Sequence, residues 1–441
     1  MKKTLLLTTL LSSLLFGDAA TVLPVEKRTF EQSKFIPDIS LILDASYVNR
    51  NKEDDEIAHF EMPGVAHGIM GAHSHGEHSH ATYNAYNGFN INYAELVLSS
   101  SVDPYFTLDG VFHFSENGVE IEEAYFTTTA LPAGLRLRGG KLLSSFGRLN
   151  AQHHHYWDFG DMPLVYQAFL GDHGINEKGL QLQWVAPTST YLMVGAEVLQ
   201  GENESMFGTG SIADPLTDDE DAAPLAEAAD APALFVGYVK TAVDIGETTI
   251  MPGVSYARGT SRLDHFGDEE PHAFSGMSSL YGVDLTVKHY FDSYSYLTWQ
   301  SEWMMRDMDG TQYKSIDTND TDDVEYDAIT SAKMEKEQAG YYTQLVYALD
   351  KNWRFGARYD NIYQNDVTVN GAKQDMEDNF DRVSAMVEYH PSEFSRIRLQ
   401  YNHNTALFSE EDEAGHQERQ TIDTVMVQVN IAIGAHAAHD F

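Results

Sequence analysis

Apolar and polar residues alternate with a period of two along most of the chain, and no long stretch carries a helical period. The run before the C terminus is the clearest. Val425, Val427, Val429, Ile431 and Ile433 share one face, and Met426, Gln428, Asn430, Ala432 and Gly434 share the other. Upstream, Ile397, Leu399 and Tyr401 alternate with Arg396, Arg398, Gln400 and Asn402. Val383, Ala385, Val387 and Tyr389 alternate with Arg382, Ser384, Met386 and Glu388; Trp353, Phe355, Ala357 and Tyr359 alternate with Arg354, Gly356, Arg358 and Asp360. An apolar face turned out to lipid and a polar face turned in to water is the pattern of a transmembrane barrel. A soluble sandwich would turn the same faces the other way.

The pattern predicts sixteen strands, near 38–49, 87–101, 104–115, 119–130, 134–143, 178–187, 190–201, 233–244, 247–258, 278–291, 294–306, 337–349, 352–363, 380–390, 394–405 and 421–434. Short turns such as Val102-Asp103-Pro104, Leu131-Pro132-Ala133-Gly134 and Pro391-Ser392-Glu393 alternate with long, mostly polar connections; Glu116-Asn117-Gly118 is a short exception. Tight periplasmic turns and larger extracellular loops are the outer-membrane layout. The expected fold is all-β: an antiparallel transmembrane β-barrel of about sixteen strands, with both termini in the periplasm. Met1-Lys2-Lys3, the apolar run Thr4 to Phe16 and the small residues Gly17 to Ala20 form a signal peptide by order and composition. The expected division is 1–20 signal peptide, 21–37 short periplasmic segment and 38–441 barrel, exported to the outer membrane of a Gram-negative bacterium. The terminal Phe441 resembles the signal read by the barrel-assembly machinery.

Composition removes several alternatives. The 441 residues carry 28 Lys+Arg against 67 Asp+Glu, a formal charge of −39, which disfavours nucleic acid as a partner. No cysteine is present, so disulfides and thiolate metal sites are excluded. Aromatics make up 12%, with 24 Tyr, whereas disordered acidic chains are poor in them. The acidic runs at Glu53 to Glu56, Asp218 to Asp221, Asp268 to Glu270, Asp320 to Asp323 and Glu410 to Glu413 fall in the long connections. They read either as solvated loop tips or as an electronegative vestibule that concentrates cations. Expected partners are outer-membrane lipid and lipopolysaccharide, small ions and two further copies of the chain in a homotrimer.

Two histidine clusters carry the specific chemistry. The first connection holds His67, His73, His75, His78 and His80, with the core His73-Ser74-His75-Gly76-Glu77-His78-Ser79-His80. Neutral imidazole ligates zinc, copper and nickel. Residues two apart on an extended chain point to one side, so each pair can converge on an ion. The second cluster is Gln152-His153-His154-His155-Tyr156-Trp157-Asp158-Phe159, in a connection too apolar and aromatic to stand in water. That loop is expected to fold into the barrel and narrow it, with His153 or His155 facing the permeation path. Arg354, Arg358, Arg382, Arg396 and Arg398 lie on the polar faces of nearby strands, and with Trp157 and Asp158 are candidate pore-lining residues. Structural pairing of these arginines with Glu388 and Asp360 is the alternative. The chain shows neither a nucleophile elbow nor His-Glu-x-x-His, so no catalytic residue is assigned and no enzyme is expected. No cofactor is required; Zn2+ is a candidate cargo or loop ligand.

Several segments resemble a family of zinc-regulated TonB-dependent outer membrane receptors. They are Ile36 to Asp44, Glu122-Glu123-Ala124-Tyr125, Leu131-Pro132-Ala133-Gly134, and Gly147-Arg148-Leu149-Asn150 through Gln152, His153, His155 and Trp157-Asp158-Phe159 to Ala168-Phe169-Leu170-Gly171. The resemblance covers about residues 36–200 and implies an outer-membrane location and a link to zinc supply. The architecture also resembles the phosphate-selective porins. A TonB-dependent receptor has a barrel of about 22 strands with a plugged lumen, whereas only Thr21 to Pro37 precede the first strand here, so a plug-less, passive or facilitated pore is expected. The leading expectation is a porin-like channel for small hydrophilic solutes, linked to divalent zinc. The alternatives are an anion or phosphate porin that uses the arginines, and a closed surface barrel that binds metal without conducting.

Overall fold

The computed structural model describes residues 37–66, 83–116, 118–203, 205–217, 222–267, 271–318, 326–409 and 417–434. Among the described residues, seventeen strands form one antiparallel sheet. They are β1 (Asp38–Arg50), β2 (Gly88–Ser101), β3 (Phe106–Ser115), β4 (Gly118–Thr128), β5 (Leu135–Leu143), β6 (Asn176–Val185), β7 (Tyr191–Leu199), β8 (Leu234–Ile245), β9 (Thr248–His265), β10 (His272–Tyr290), β11 (Tyr296–Ile316), β12 (Ala328–Ala348), β13 (Trp353–Val369), β14 (Ala372–Lys373), β15 (Phe380–Ser392), β16 (Ser395–Phe408) and β17 (Arg419–Ile433). The two-residue β14 is a stub on β13, which pairs onward with β15, so sixteen strands make the wall. β1 pairs with both β2 and β17. The sheet is therefore a closed barrel without an edge.

Alternation sets the faces as expected. On β17, Val425, Val427, Ile431 and Ile433 are exposed, while Met426, Gln428, Asn430 and Ala432 are buried. On β1, Ile39, Leu41, Leu43 and Tyr47 look out, and Ser40, Ile42, Asp44 and Ser46 look in. An outward band of this composition is stable only against lipid, and the chain is an outer-membrane barrel. β11 and β12 have 21 residues each, against 9 in β5 and β7. At about 3.4 Å per residue and a tilt of about 40°, the long strands rise roughly 50 Å, twice the apolar band. The apolar alternation stops near the membrane boundary, but backbone pairing continues above it. That is why the pattern predicts 294–306 for β11 and 337–349 for β12, short of their true ends.

The interior is filled from within. The connection between β5 and β6 (residues 144–175) enters the barrel as expected and carries α2 (Leu164–Leu170). α2 follows Pro163 and ends at Gly171, whose φ of 71° suits a residue without Cβ. Phe146, Leu164, Val165, Tyr166 and Phe169 of this loop are fully buried, each contributing about 1.5–3 kcal/mol by leaving water. Two further connections join them, which the sequence pattern did not announce: Ile57, Phe60, Met62 and Val65 from the β1–β2 connection, and Met206 and Phe207 from the β7–β8 connection, share the same apolar cluster.

Candidate metal centre

The inserted loop is held by different chemistry on its two flanks. Toward β13, β15 and β16 it meets arginines. Asp161 lies 3.0 Å from both Arg358 Nη2 and Arg382 Nη1. Arg358 Nε also reaches Asp360, whose other oxygen accepts the Leu164 N–H at 3.0 Å and so starts α2. Arg382 donates to Met162 O, and Arg398 donates to Trp157 O at 2.7 Å and pairs with Glu388 at 2.8 Å. Burial would raise the Asp161 carboxyl, but Arg358 and Arg382 outweigh it and hold it at about 2. Glu302 on β11 receives the Arg148 and Leu149 N–H groups and the hydroxyls of Tyr166 and Tyr342. Gly147 (φ 60°) passes so close to Glu302 and Tyr166 that a Cβ would overlap them.

Toward β2, β3 and β4 the loop meets carboxylates with imidazoles. Glu95 and His113 are register partners on β2 and β3, and His113 Nε2 lies 2.9 Å from Glu95 Oε2. On β4 the register shifts opposite Val111 and Phe112, leaving Glu122 as an extra residue. This bulge turns the consecutive Glu122 and Glu123 both inward, each 5% exposed, which strict alternation forbids. The loop then delivers its histidines. His153 Nε2 lies 2.9 Å from Glu123 Oε2, and His153 Nδ1 lies 3.7 Å from Glu95 Oε2. His155 Nδ1 is 3.4 Å from that same Glu95 oxygen. The short helical turn His154–Tyr156 points His154 the other way, where it stacks on Tyr83 at 4.1 Å and bonds Tyr93 and Gly160. Burial pushes His154 down to about 4 and keeps it neutral. For His153, burial opposes charge, but Glu95 and Glu123 outweigh it and raise it to about 9.

One ligand atom each from Glu95, His113 and His153 lie within 4.8 Å of one another, and a second group, Glu120, Glu122 and His173, does the same. Two imidazoles and a carboxylate are a familiar donor set for zinc and other first-row divalent ions once His153 has given up its proton. Glu95 is 1% exposed, yet its Oε1 makes no hydrogen bond among the described residues, nor do His113 Nδ1 and His153 Nδ1. Buried polar atoms are normally satisfied, so the cluster has spare donor capacity aimed inward.

Of the residues singled out from sequence, His153 and His155 join this cluster. Trp157 and Asp158 sit in the inserted loop, with Asp158 accepting from Gln344 at 3.0 Å. Arg354, Arg358, Arg382, Arg396 and Arg398 all project inward from their strands, and Arg354 and Arg396 pair with Glu388 at 3.7 and 3.5 Å. His67, His73, His75, His78 and His80 lie outside the described residues, as do the signal segment, Phe441 and four of the five acidic runs. The fifth run opens α1 (Asp54–Ala58), with Asp54 accepting the Asn87 N–H. Sequence reasoning missed Glu95, His113, Glu120 and His173 as members of these clusters, and it took Glu122 and Glu123 only as part of a family motif. Their signal was faint: ionisable residues at inward positions of early strands, and two glutamates in a row within an alternating stretch.

No family model matches the chain. An uncharacterized protein of Aquifex aeolicus (strain VF5) is 45% identical over 413 residues, covering 93% of this chain and 81% of that protein. Among solved structures, OmpT, an outer membrane protein of Vibrio cholerae, is similar at 10% identity with a TM-score of 0.49, over 92% of this chain and 99% of that one. A porin is similar at 11% identity with a TM-score of 0.40, over 90% and 100%. The resemblance to zinc-regulated TonB-dependent receptors is corrected on this point. The wall closes on sixteen strands, not about 22, and among the described residues the lumen is filled by the wall's own connections.

Proposed function

The chain belongs to the family of the Aquifex aeolicus protein, and within that porin-type barrel we propose a channel for small hydrophilic solutes that takes up divalent metal, zinc foremost. The observation that carries this is the convergence of His113, His153 and Glu95 inside the lumen, with His155 beside them, at an inserted loop that constricts the barrel. In this reading the His67–His80 tract and the acidic loops gather cations outside, and the buried cluster selects among them. Conduction requires binding weak enough for release, and three protein donors leave room for water to complete the ion's shell. The five arginines line a path only where the loop disengages, so anion conduction through an arginine wall is the lesser alternative. Homotrimer formation and assembly through Phe441 belong to the same proposal.

The filled lumen favours a second reading, a barrel that binds metal at the surface without conducting. Reversal potential in a planar bilayer under a salt gradient, with and without micromolar zinc, separates the two. Cation-selective current that zinc alters, with the effect lost in His113→Ala/His153→Ala, supports the channel. Zinc binding without current assigns the closed barrel. Anion-selective current indifferent to zinc overturns both.

A further inference from the structure

Beside the inner cluster lies a second one, and a single side chain belongs to both neighbourhoods. Glu122 groups with Glu120 and His173 within 4.8 Å, and its Oε2 stands 3.9 Å from His113 Nδ1, an inner ligand. Glu122 is 5% exposed, and its Oε2 has no hydrogen bond among the described residues. A small, partly open pocket adjoins it, lined by Tyr83, Glu122, His154, Asp172 and His173 among others. The outer group is more open than the inner one: the Glu120 side chain is 22% exposed against 1% for Glu95. Lys141 Nζ lies 3.5 Å from Glu120 Oε1 and balances its charge until an ion arrives.

We propose that Glu120, Glu122 and His173 form an outer divalent-cation site that passes its ion through Glu122 to the inner Glu95, His113 and His153. The outer set offers two carboxylates and one imidazole, and the inner set two imidazoles and one carboxylate. For a borderline ion such as zinc, affinity rises from the oxygen-rich to the nitrogen-rich site. Calcium and magnesium want six or more oxygens and gain nothing at the second step. The pair is thus a selectivity ladder, and the shared carboxylate lets an ion cross without full rehydration. No bond is made or broken except metal–ligand exchange. The inference rests on the inner cluster being a metal site, and its test separates the two.

Cobalt(II) is titrated into the full chain in detergent, with His67, His73, His75, His78 and His80 replaced by Ala so that the external tract does not bind. Two equivalents are expected, read from the visible d–d bands. Glu120→Gln and His173→Ala should each remove one equivalent and leave the other; His113→Ala should remove the inner one. In a bilayer, Glu120→Gln should slow the onset of zinc block roughly tenfold while leaving its release rate unchanged. A single equivalent lost only in His113→Ala overturns the outer site and leaves the inner one standing. A second equivalent indifferent to Glu120→Gln and His173→Ala overturns it as well. No cobalt bound at all overturns the inner metal reading too. Heat-modifiable migration on gels checks that each variant barrel is folded.

Discussion

On its arginine flank the inserted loop is almost fully matched, and on its histidine flank it is not. Arg358, Arg382 and Arg398 divide their donors among Asp161, Asp360, Glu388 and the carbonyls of Met162 and Trp157. Arg396 is the exception, with Nε and Nη2 lacking hydrogen bonds among the described residues. Across the lumen, three residues of the inner cluster keep atoms without a hydrogen bond among the described residues: Glu95 Oε1, His113 Nδ1 and His153 Nδ1. Guanidinium with carboxylate and backbone carbonyl makes a fixed latch, because the fork geometry leaves little to reorganise. His153 Nδ1 and the neighbouring His155 Nδ1 stand 3.7 and 3.4 Å from Glu95 Oε2, close to the spacing of roughly 3.3 Å that a tetrahedral zinc imposes on its ligands, while His113 Nε2 is hydrogen-bonded to the same oxygen at 2.9 Å. One flank positions the loop, and the other is left with chemistry to do.

The comparison breaks most sharply at Asp161. Asp161→Ala strips the shared partner from two buried arginines, and losing one side of a buried pair costs about 3–5 kcal/mol. The loop should undock, seen as new protease cleavage within residues 144–175 and a larger single-channel conductance. The cluster residues on β2, β3 and β4 stay in the wall, so on the proposed metal reading cobalt binding should weaken and not vanish. Acid should act on the same flank next. The folded Asp161 carboxyl, held at about 2, lies below its unfolded value near 3.9. The stabilisation it gives is full above pH 4 and is lost as the pH falls through 2, about 2–3 kcal/mol in all. Loop proteolysis measured with an acid-stable protease should rise over that window in the wild type and lose that step in Asp161→Asn.

Much of the barrel is legible in the chain, and less of its interior. Every wall strand announces itself because lipid on one side and polar groups on the other enforce period two; β17 and β15 are read nearly to the residue. The pattern fails at the tops of β11 and β12, where both faces are wet. It fails again at Glu122, where the bulge suspends alternation and makes an inward pair look like one inward and one outward residue. The loop of residues 144–175 betrays itself by apolar content, and so do His153 and His155 by their spacing. Glu95 and His113 do not, since their meeting depends on the β2–β3 register, which single strands do not encode. The arginines were visible as a group, but their use as a latch needed the loop's Asp161 and carbonyls in place.

The histidine flank sharpens the comparison with smaller effects. Glu95 stands within 3.7 Å of His113, His153 and His155 alike. Glu95→Gln keeps its shape and one oxygen but removes the charge. Metal affinity at the inner site should fall at least tenfold, about 1.4 kcal/mol, in a cobalt titration of the tract-deleted chain. Loop docking should hardly change, since the arginine latch is untouched; a matching rise in loop cleavage would mean that Glu95 is a structural tie. The smallest effect belongs to Tyr83, whose ring stacks on His154 with an interplanar angle of 5°. Tyr83→Leu keeps the apolar bulk and loses the stacking, worth about 0.5–1.5 kcal/mol. His154 is the residue that faces away while His153 and His155 face Glu95, so its ring fixes the rotation of the turn between them. Tyr83→Leu should therefore broaden the inner cobalt band and weaken binding only a fewfold, with no change in cleavage of the loop near Asp161. An unchanged band would show that the arginine latch alone orients the histidines.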